Sequence, residues 1–204
     1  MHKLNLNEGE FLVKLARRSI TEYLKNKNKI TLPKDTPEKL KSESGVFTTL
    51  NSIDTGKPTL RGCIGYPQPV IPLVEAVIDS AINAATGDPR FPSVTLEELD
   101  KIIIEVSVLT SPQILKLKSK KDVPNYIEIG KDGLIIENGY YRGLLLPQVP
   151  VEWKWDTEEF LTHCSLKAGL QPDAWLLPST KIYKFTCEIF KENKPKGSVV
   201  KVQL

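Results

Sequence analysis

A chain of 204 residues, 40% hydrophobic and 26% charged, is long enough for one domain with a sizeable core, and its balance is that of a soluble globular protein and unlike that of a disordered one. A formal net charge of +3 is too small to argue for nucleic acid or a membrane surface, and no apolar run is long enough to span a bilayer. The cysteines at 63, 164 and 187 are far apart and show no Cys-x-x-Cys spacing, so neither a disulfide framework nor a structural metal site is expected.

The start, Met1 to Asn5, lacks the apolar stretch of a signal peptide, and a cytoplasmic protein is expected. Asn7-Glu8-Gly9-Glu10 has the form of a capping box, after which Phe11, Leu12, Leu15, Ala16, Ile20, Tyr23 and Leu24 recur at helical spacing. Residues 28–44 are polar and hold two prolines, which predicts an irregular surface loop with room for one short helical turn. Residues 46–53 and 59–66 read as the strands of a hairpin joined by a turn at 54–58. Pro67, Pro69 and Pro72 stop further pairing and start a helix whose apolar residues, Leu73 to Ala85, leave only Glu75, Asp79, Ser80 and Asn83 polar. Such a helix packs closely against a sheet, and Gly87 ends it.

Asp88-Pro89-Arg90-Phe91-Pro92 reads as a rigid loop, and Thr95 with Glu98 as the capping box of a short helix. Residues 102–110 begin with a continuous apolar run and belong in the middle of a sheet. A short helix interrupted by Pro124 falls within 119–129, and Asn138-Gly139 is the turn of a hairpin between 133–137 and 140–146. The segment 146–156 reads as irregular. Asp156 and Glu159 then cap a helix that runs to Lys167 and stops at Gly169, with Phe160, Leu161, Cys164 and Ala168 as its apolar stripe. Tyr183, Phe185, Cys187 and Ile189 alternate as one half-buried strand, and Val199 to Val202 form a short last one. The whole predicts an α/β fold of the α+β type, with a mainly antiparallel sheet and packed helices. Lysine clusters at 25–29, 116–121 and 191–196 carry no interleaved aromatics, so they read as solvated surface and nucleic acid is not an expected partner.

Leu60-Arg61-Gly62-Cys63-Ile64-Gly65 is the stretch that looks like a site. Strand alternation puts Leu60, Gly62 and Ile64 on the core face and Arg61, Cys63 and Gly65 on the other, with Gly65 leaving the thiol uncovered on one side. The helix that follows begins only a few residues later, so its N-terminus would face the same pocket. Two readings of Cys63 stand. In one it is a thiolate nucleophile assisted by Arg61, with His163 as general base and Glu152 orienting the histidine. In the other it is a small buried residue placed where bulk does not fit. Arg61, Arg90 and Arg142 suit an anionic substrate, or else pair with carboxylates such as Asp88 and Glu152.

With these residues laid out, the chain resembles the AMMECR family, named for the Alport syndrome, midface hypoplasia and elliptocytosis chromosomal region, and looks like an archaeal-type member. The resemblance rests on Leu60 to Gly65, on Asp88, Arg90 and Phe91, on Leu145-Leu146-Pro147-Gln148-Val149, on Glu152 and Trp155-Asp156, and on Lys167-Ala168-Gly169-Leu170. It implies a single AMMECR-type domain over residues 1–204, with a larger and a smaller subdomain around a cleft, and a biochemical activity that is unassigned. It also associates the chain with Memo-type and radical-SAM pathway proteins. Two functions follow as expectations. One is an enzyme using Cys63 and His163 on a small anionic or nucleotide-like substrate held by Arg61, Gly62, Ile64, Gly65, Asp88, Arg90, Phe91 and Glu152, with no metal and no cofactor. The other is a non-catalytic binding or adaptor module in which the same motif shapes a recognition cleft.

Overall fold

The computed structural model describes residues 3–53 and 56–203, and these separate into two compact units: residues up to Leu109 together with Glu188–Gln203, and Thr110–Cys187. In the first unit, helix α1 (Leu6–Asn26) begins two residues earlier than expected, because its cap is Asn5 and not Asn7. The Asn5 side chain accepts from the Glu8 N–H at 2.9 Å and the Glu8 carboxylate accepts from the Asn5 N–H at 2.8 Å, so two otherwise unpaired donors are satisfied reciprocally. Leu4, buried just before the cap, fixes where the helix starts. Within the loop that follows there is a single 3-10 turn, Glu38–Lys41.

Strands β1 (Gly45–Ser52) and β2 (Thr59–Tyr66) form the expected hairpin, although Asp54 and Thr55 of its turn lie outside the described residues. Helix α2 (Leu73–Thr86) and the single-turn α3 (Leu96–Leu99) follow, and then β3 (Ile102–Leu109). Strand β8 (Cys187–Glu192) and β9 (Val199–Val202) return to this unit and complete a five-stranded sheet of order β2-β1-β3-β8-β9, which puts β3 in the centre as its apolar run requires. Helix α2 is buried along most of its length, with Thr48 and Ser80 exchanging a hydrogen bond of 2.8 Å between strand and helix. An ion pair inside this unit ties α1 to β8: Glu192 is buried, receives Arg17 through Nε and Nη2 at 2.6 Å each, and accepts from the Ile104 N–H at 3.0 Å.

The second unit holds β4 (Gln113–Ile114), β5 (Gly133–Asn138), β6 (Tyr141–Leu145) and β7 (Lys181–Phe185) in a sheet of order β4-β7-β5-β6. The register Asn138↔Tyr141 makes Gly139 and Tyr140 the two turn residues, one step beyond the expected Asn138-Gly139, and Gly139 alone supplies the positive φ (59°). Helix α5 (Thr157–Lys167) is capped by Asp156 and Glu159 as expected, and Phe160, Leu161 and Cys164 on it are buried against the sheet. The stretch 146–156 is not irregular throughout, since Gln148–Trp153 forms the short helix α4. The single strand expected around 183–189 is two strands. Thr186 interrupts it by pairing with Thr110, and the alternation changes phase, so that Ile182, Phe185, Ile189 and Phe190 are buried while Tyr183 and Cys187 are half-buried.

Candidate functional site

The site grows from the edge of the first unit's sheet, because β2 has only β1 as a neighbour. Leu50 faces Gly62 across the hairpin and Asn51 faces Leu60, so Arg61 is the extra residue of a β-bulge. A bulge turns the strand and re-aims its side chains. It corrects the expected alternation: Leu60 is carried off the core face and is 43% exposed, while Gly62 and Ile64 keep to that face. Arg61 consequently does not lie beside the thiol. Its Nε and Nη2 donate to the two Glu98 oxygens at 3.0 and 3.3 Å, and its guanidinium lies 5.8 Å from the centre of the Phe91 ring.

Gly62 is where α2 touches the strand. A Cβ there would stand 2.1 Å from the Ala84 carbonyl oxygen, so only glycine permits the approach. It is therefore the C-terminal part of α2, and not the expected N-terminus, that reaches the motif. The reason is geometric, since β2 runs on to Tyr66 before the helix folds back along it. Gly65 does not leave the thiol uncovered in the expected way either, because the Phe47 ring of the neighbouring strand occupies the space over it.

The loop after α2 delivers Asp88 and Arg90 to Cys63 itself. Asp88 accepts the Cys63 N–H at 2.8 Å, and Arg90 Nη2 reaches the Cys63 carbonyl at 3.4 Å. The same two side chains pair with each other through two contacts, at 2.9 and 2.6 Å. Together they satisfy both groups that an edge strand leaves open at this residue. Arg90 and its backbone N–H, with the Cys63 N–H, hold the Asp88 carboxyl well below the usual carboxylate range despite its burial. Asp88 correspondingly raises the Arg90 pKa. Arg90 also lies 5.4 Å from the Phe91 ring, so that ring has a guanidinium on each of two contacts.

The Cys63 thiol has a different environment. Burial is the largest influence on it and pushes its pKa up; the hydrogen bond from Thr49 Oγ1, at 3.4 Å, and the charge of Arg90 oppose this without reversing it. Glu105 and Asp88 add to the upward shift. The expected lowering by Arg61 is thus corrected: the bulge sends that guanidinium to Glu98. Cys164 is deeper, with its S–H directed at the carbonyls of Leu134 and Gly143, and its pKa is pushed up to about 12.

Of the residues singled out in the sequence, Arg61, Gly62, Cys63, Ile64, Gly65, Asp88, Arg90 and Phe91 come together in the first unit. His163 and Glu152 belong to the second. There His163 stacks on Trp155 with ring centres 3.8 Å apart and planes 3° from parallel, and Trp155 stacks in turn on Trp153 at 6.0 Å. Glu152 is exposed on α4. Sequence reasoning missed Thr49, although counting back along the hairpin register places it opposite Cys63, and missed Glu98, which was read only as a capping residue. Among the described residues no group of three or more His, Cys, Asp or Glu is placed to hold a metal ion, and no helix is long and apolar enough to cross a membrane.

Comparison with known proteins adds to this geometry. A family model described as AMMECR1 matches residues 13–190. The chain is 57% identical over 192 residues to Protein PH0010 from Pyrococcus horikoshii, covering 94% of this chain and 93% of that one. It is 52% identical over 204 residues to Protein MJ0810 from Methanocaldococcus jannaschii, covering the whole of both. The crystal structure of PH0010 from Pyrococcus horikoshii superposes with a TM-score of 0.96 at 54% identity over the full length of both chains.

Proposed function

Because this chain belongs to the AMMECR1 family, with residues 13–190 matched, we propose that it acts as a non-catalytic binding module whose Leu60–Gly65 motif shapes a recognition surface for an anionic group. The observation that carries this reading is how Cys63 is used. Its backbone N–H and C=O are held by Asp88 and Arg90, whereas its thiol is kept protonated by burial and receives a hydrogen bond from Thr49. A neutral, desolvated thiol is a poor nucleophile. The donors left uncommitted belong to arginine. Arg61 Nη1 is buried without a hydrogen-bond partner, and the bonds of Arg90 run through its Nε and Nη2, leaving Nη1. Phe91 between them supplies an apolar wall. A carboxylate or phosphate group suits such donors, because the guanidinium plane is already oriented by Glu98 and Asp88.

Alkylation of the folded protein across a pH series, followed by peptide mapping, tests the reading. Cys63 is expected to label slowly at neutral pH and to react fully only on denaturation, with Cys63→Ser keeping the fold. Selective labelling of native Cys63 at neutral pH, moved to higher pH by Arg90→Met or Arg61→Met, would overturn it and restore an enzyme that uses the thiol.

A further inference from the structure

The second unit carries a cluster of cations that the motif does not involve. Lys118, Lys120 and Lys121 line a cavity of about 400 Å³ whose other walls are largely apolar, from Leu117, Leu176 and Pro178. The volume falls in the range of small-molecule sites. The three lysines fall within four residues of one another, where an irregular segment bends at Lys118 and Ser119 then caps the 3-10 turn Lys120–Tyr126 by accepting the Lys121 N–H at 3.2 Å. Lys120 is half-buried and donates from Nζ to the Thr180 carbonyl at 2.5 Å.

What marks this cluster is that its three lysines line one cavity whose lining holds no acidic residue. Elsewhere in the same unit Lys131 is paired with Glu128, Lys181 with Glu137 and Lys184 with Asp132. Among the described residues no carboxylate makes an ion pair with Lys118, Lys120 or Lys121, and Asp122, the acidic residue nearest in sequence, does not line the cavity. Burial alone lowers the Lys120 pKa, with no neighbouring anion to restore it.

We propose that this cavity is an anion site of the second unit, taking a phosphate-bearing small molecule whose apolar part lies against Leu117, Leu176 and Pro178. Three ammonium groups are compact point charges, and together they suit a doubly charged phosphoryl group.

The test is calorimetric titration of the full chain at low salt with phenyl phosphate, inorganic phosphate and benzoate, and a ten-nucleotide single-stranded RNA as a fourth arm. Phenyl phosphate is expected to bind saturably and more tightly than inorganic phosphate or benzoate, and to weaken as salt rises. Lys120→Gln is expected to reduce affinity about tenfold, the loss of one charge-assisted contact, and Lys118→Gln severalfold. Lys131→Gln, outside the cavity, should leave it unchanged. Lys118 is exposed and its variant is expected to fold normally, so the test stands even if Lys120→Gln does not. No saturable binding, or equal losses in Lys131→Gln, overturns the site. Benzoate binding as tightly as phenyl phosphate overturns the phosphate class, and RNA binding more tightly with the same lysine dependence replaces the small ligand by nucleic acid.

Discussion

Replacing Asp88 by asparagine tests the hinge between the loop after α2 and the motif strand. Each Asp88 oxygen accepts twice: Oδ1 from the Arg90 backbone N–H at 3.1 Å and Arg90 Nε at 2.9 Å, Oδ2 from the Cys63 N–H at 2.8 Å and Arg90 Nη2 at 2.6 Å. Asparagine keeps one oxygen and turns the other into an NH₂ that meets two donors, whichever way the amide is flipped. Removing one partner of a buried ion pair costs about 3–5 kcal/mol, but Arg90 is 47% exposed and regains water when released, so about 2–3 kcal/mol is expected. In urea this lowers the midpoint by about 1 M. The pH dependence has a definite sign. The folded carboxyl titrates below its unfolded value of about 3.9, so its stabilisation is full above that pH and is lost as pH falls toward the folded pKa. The gap between wild type and Asp88→Asn should therefore be widest at pH 7 and shrink below about pH 4. Urea unfolding followed by circular dichroism at several pH values measures it, and faster exchange of the Cys63 amide in the variant localises it. A midpoint change under about 0.3 M at pH 7, or a gap that does not narrow on acidification, would refute the ion-pair account.

Gly62→Ala places a Cβ 2.1 Å from the Ala84 carbonyl oxygen, so strand and helix must separate; a loss of about 2 kcal/mol or more is expected in urea unfolding, and a neutral result would mean that α2 does not rest on the motif. Arg61→Met and Glu98→Gln should be coupled by about 1 kcal/mol in a double-mutant cycle, since Arg61 is only 12% exposed, and additivity would show that the bulge does not aim the guanidinium at α3. Asp156→Ala removes the reciprocal cap of α5 and should cost about 1 kcal/mol, read as loss of helical signal on unfolding. His163→Ala takes away the ring stacked on Trp155 and should cost about 1 kcal/mol, with no cost expected if the stacking contributes nothing.

Short-range chemistry was legible in the sequence. The hairpin 59–66, the buried helix from Leu73, the box of Thr95 and Glu98 and the cap of α5 each follow from residues within a few positions of one another, and each appears in place. What the sequence hid depends on register or on distant partners. One extra residue at Arg61 is invisible in an alternating pattern, yet it changes which face carries Leu60 and where the guanidinium goes. The break at Thr186 is of the same kind, because only the partner Thr110 interrupts an otherwise regular alternation. Asp88, Arg90 and Phe91 were expected at the same site as Cys63, but the atoms used were not: the contacts go to the backbone of Cys63 and leave its sulfur to Thr49.

That choice of atoms also explains how a cysteine fits the position under the binding reading. An edge residue held at both backbone groups by a charged loop needs a side chain small enough for the cross-strand row it shares with Thr49 and, beyond it, Glu105. Burial there disfavours any group that carries charge or demands several hydrogen bonds. A thiol meets both conditions, as a small, weakly polar group that can accept the Thr49 hydroxyl. Reactivity would require the opposite arrangement, with an exposed sulfur beside an unpaired cation. The cations nearest the motif are instead engaged, Arg61 with Glu98 and Arg90 with Asp88. These two ion pairs hold both guanidinium groups against Phe91, the fixed orientation that the proposed recognition of an anionic group would require.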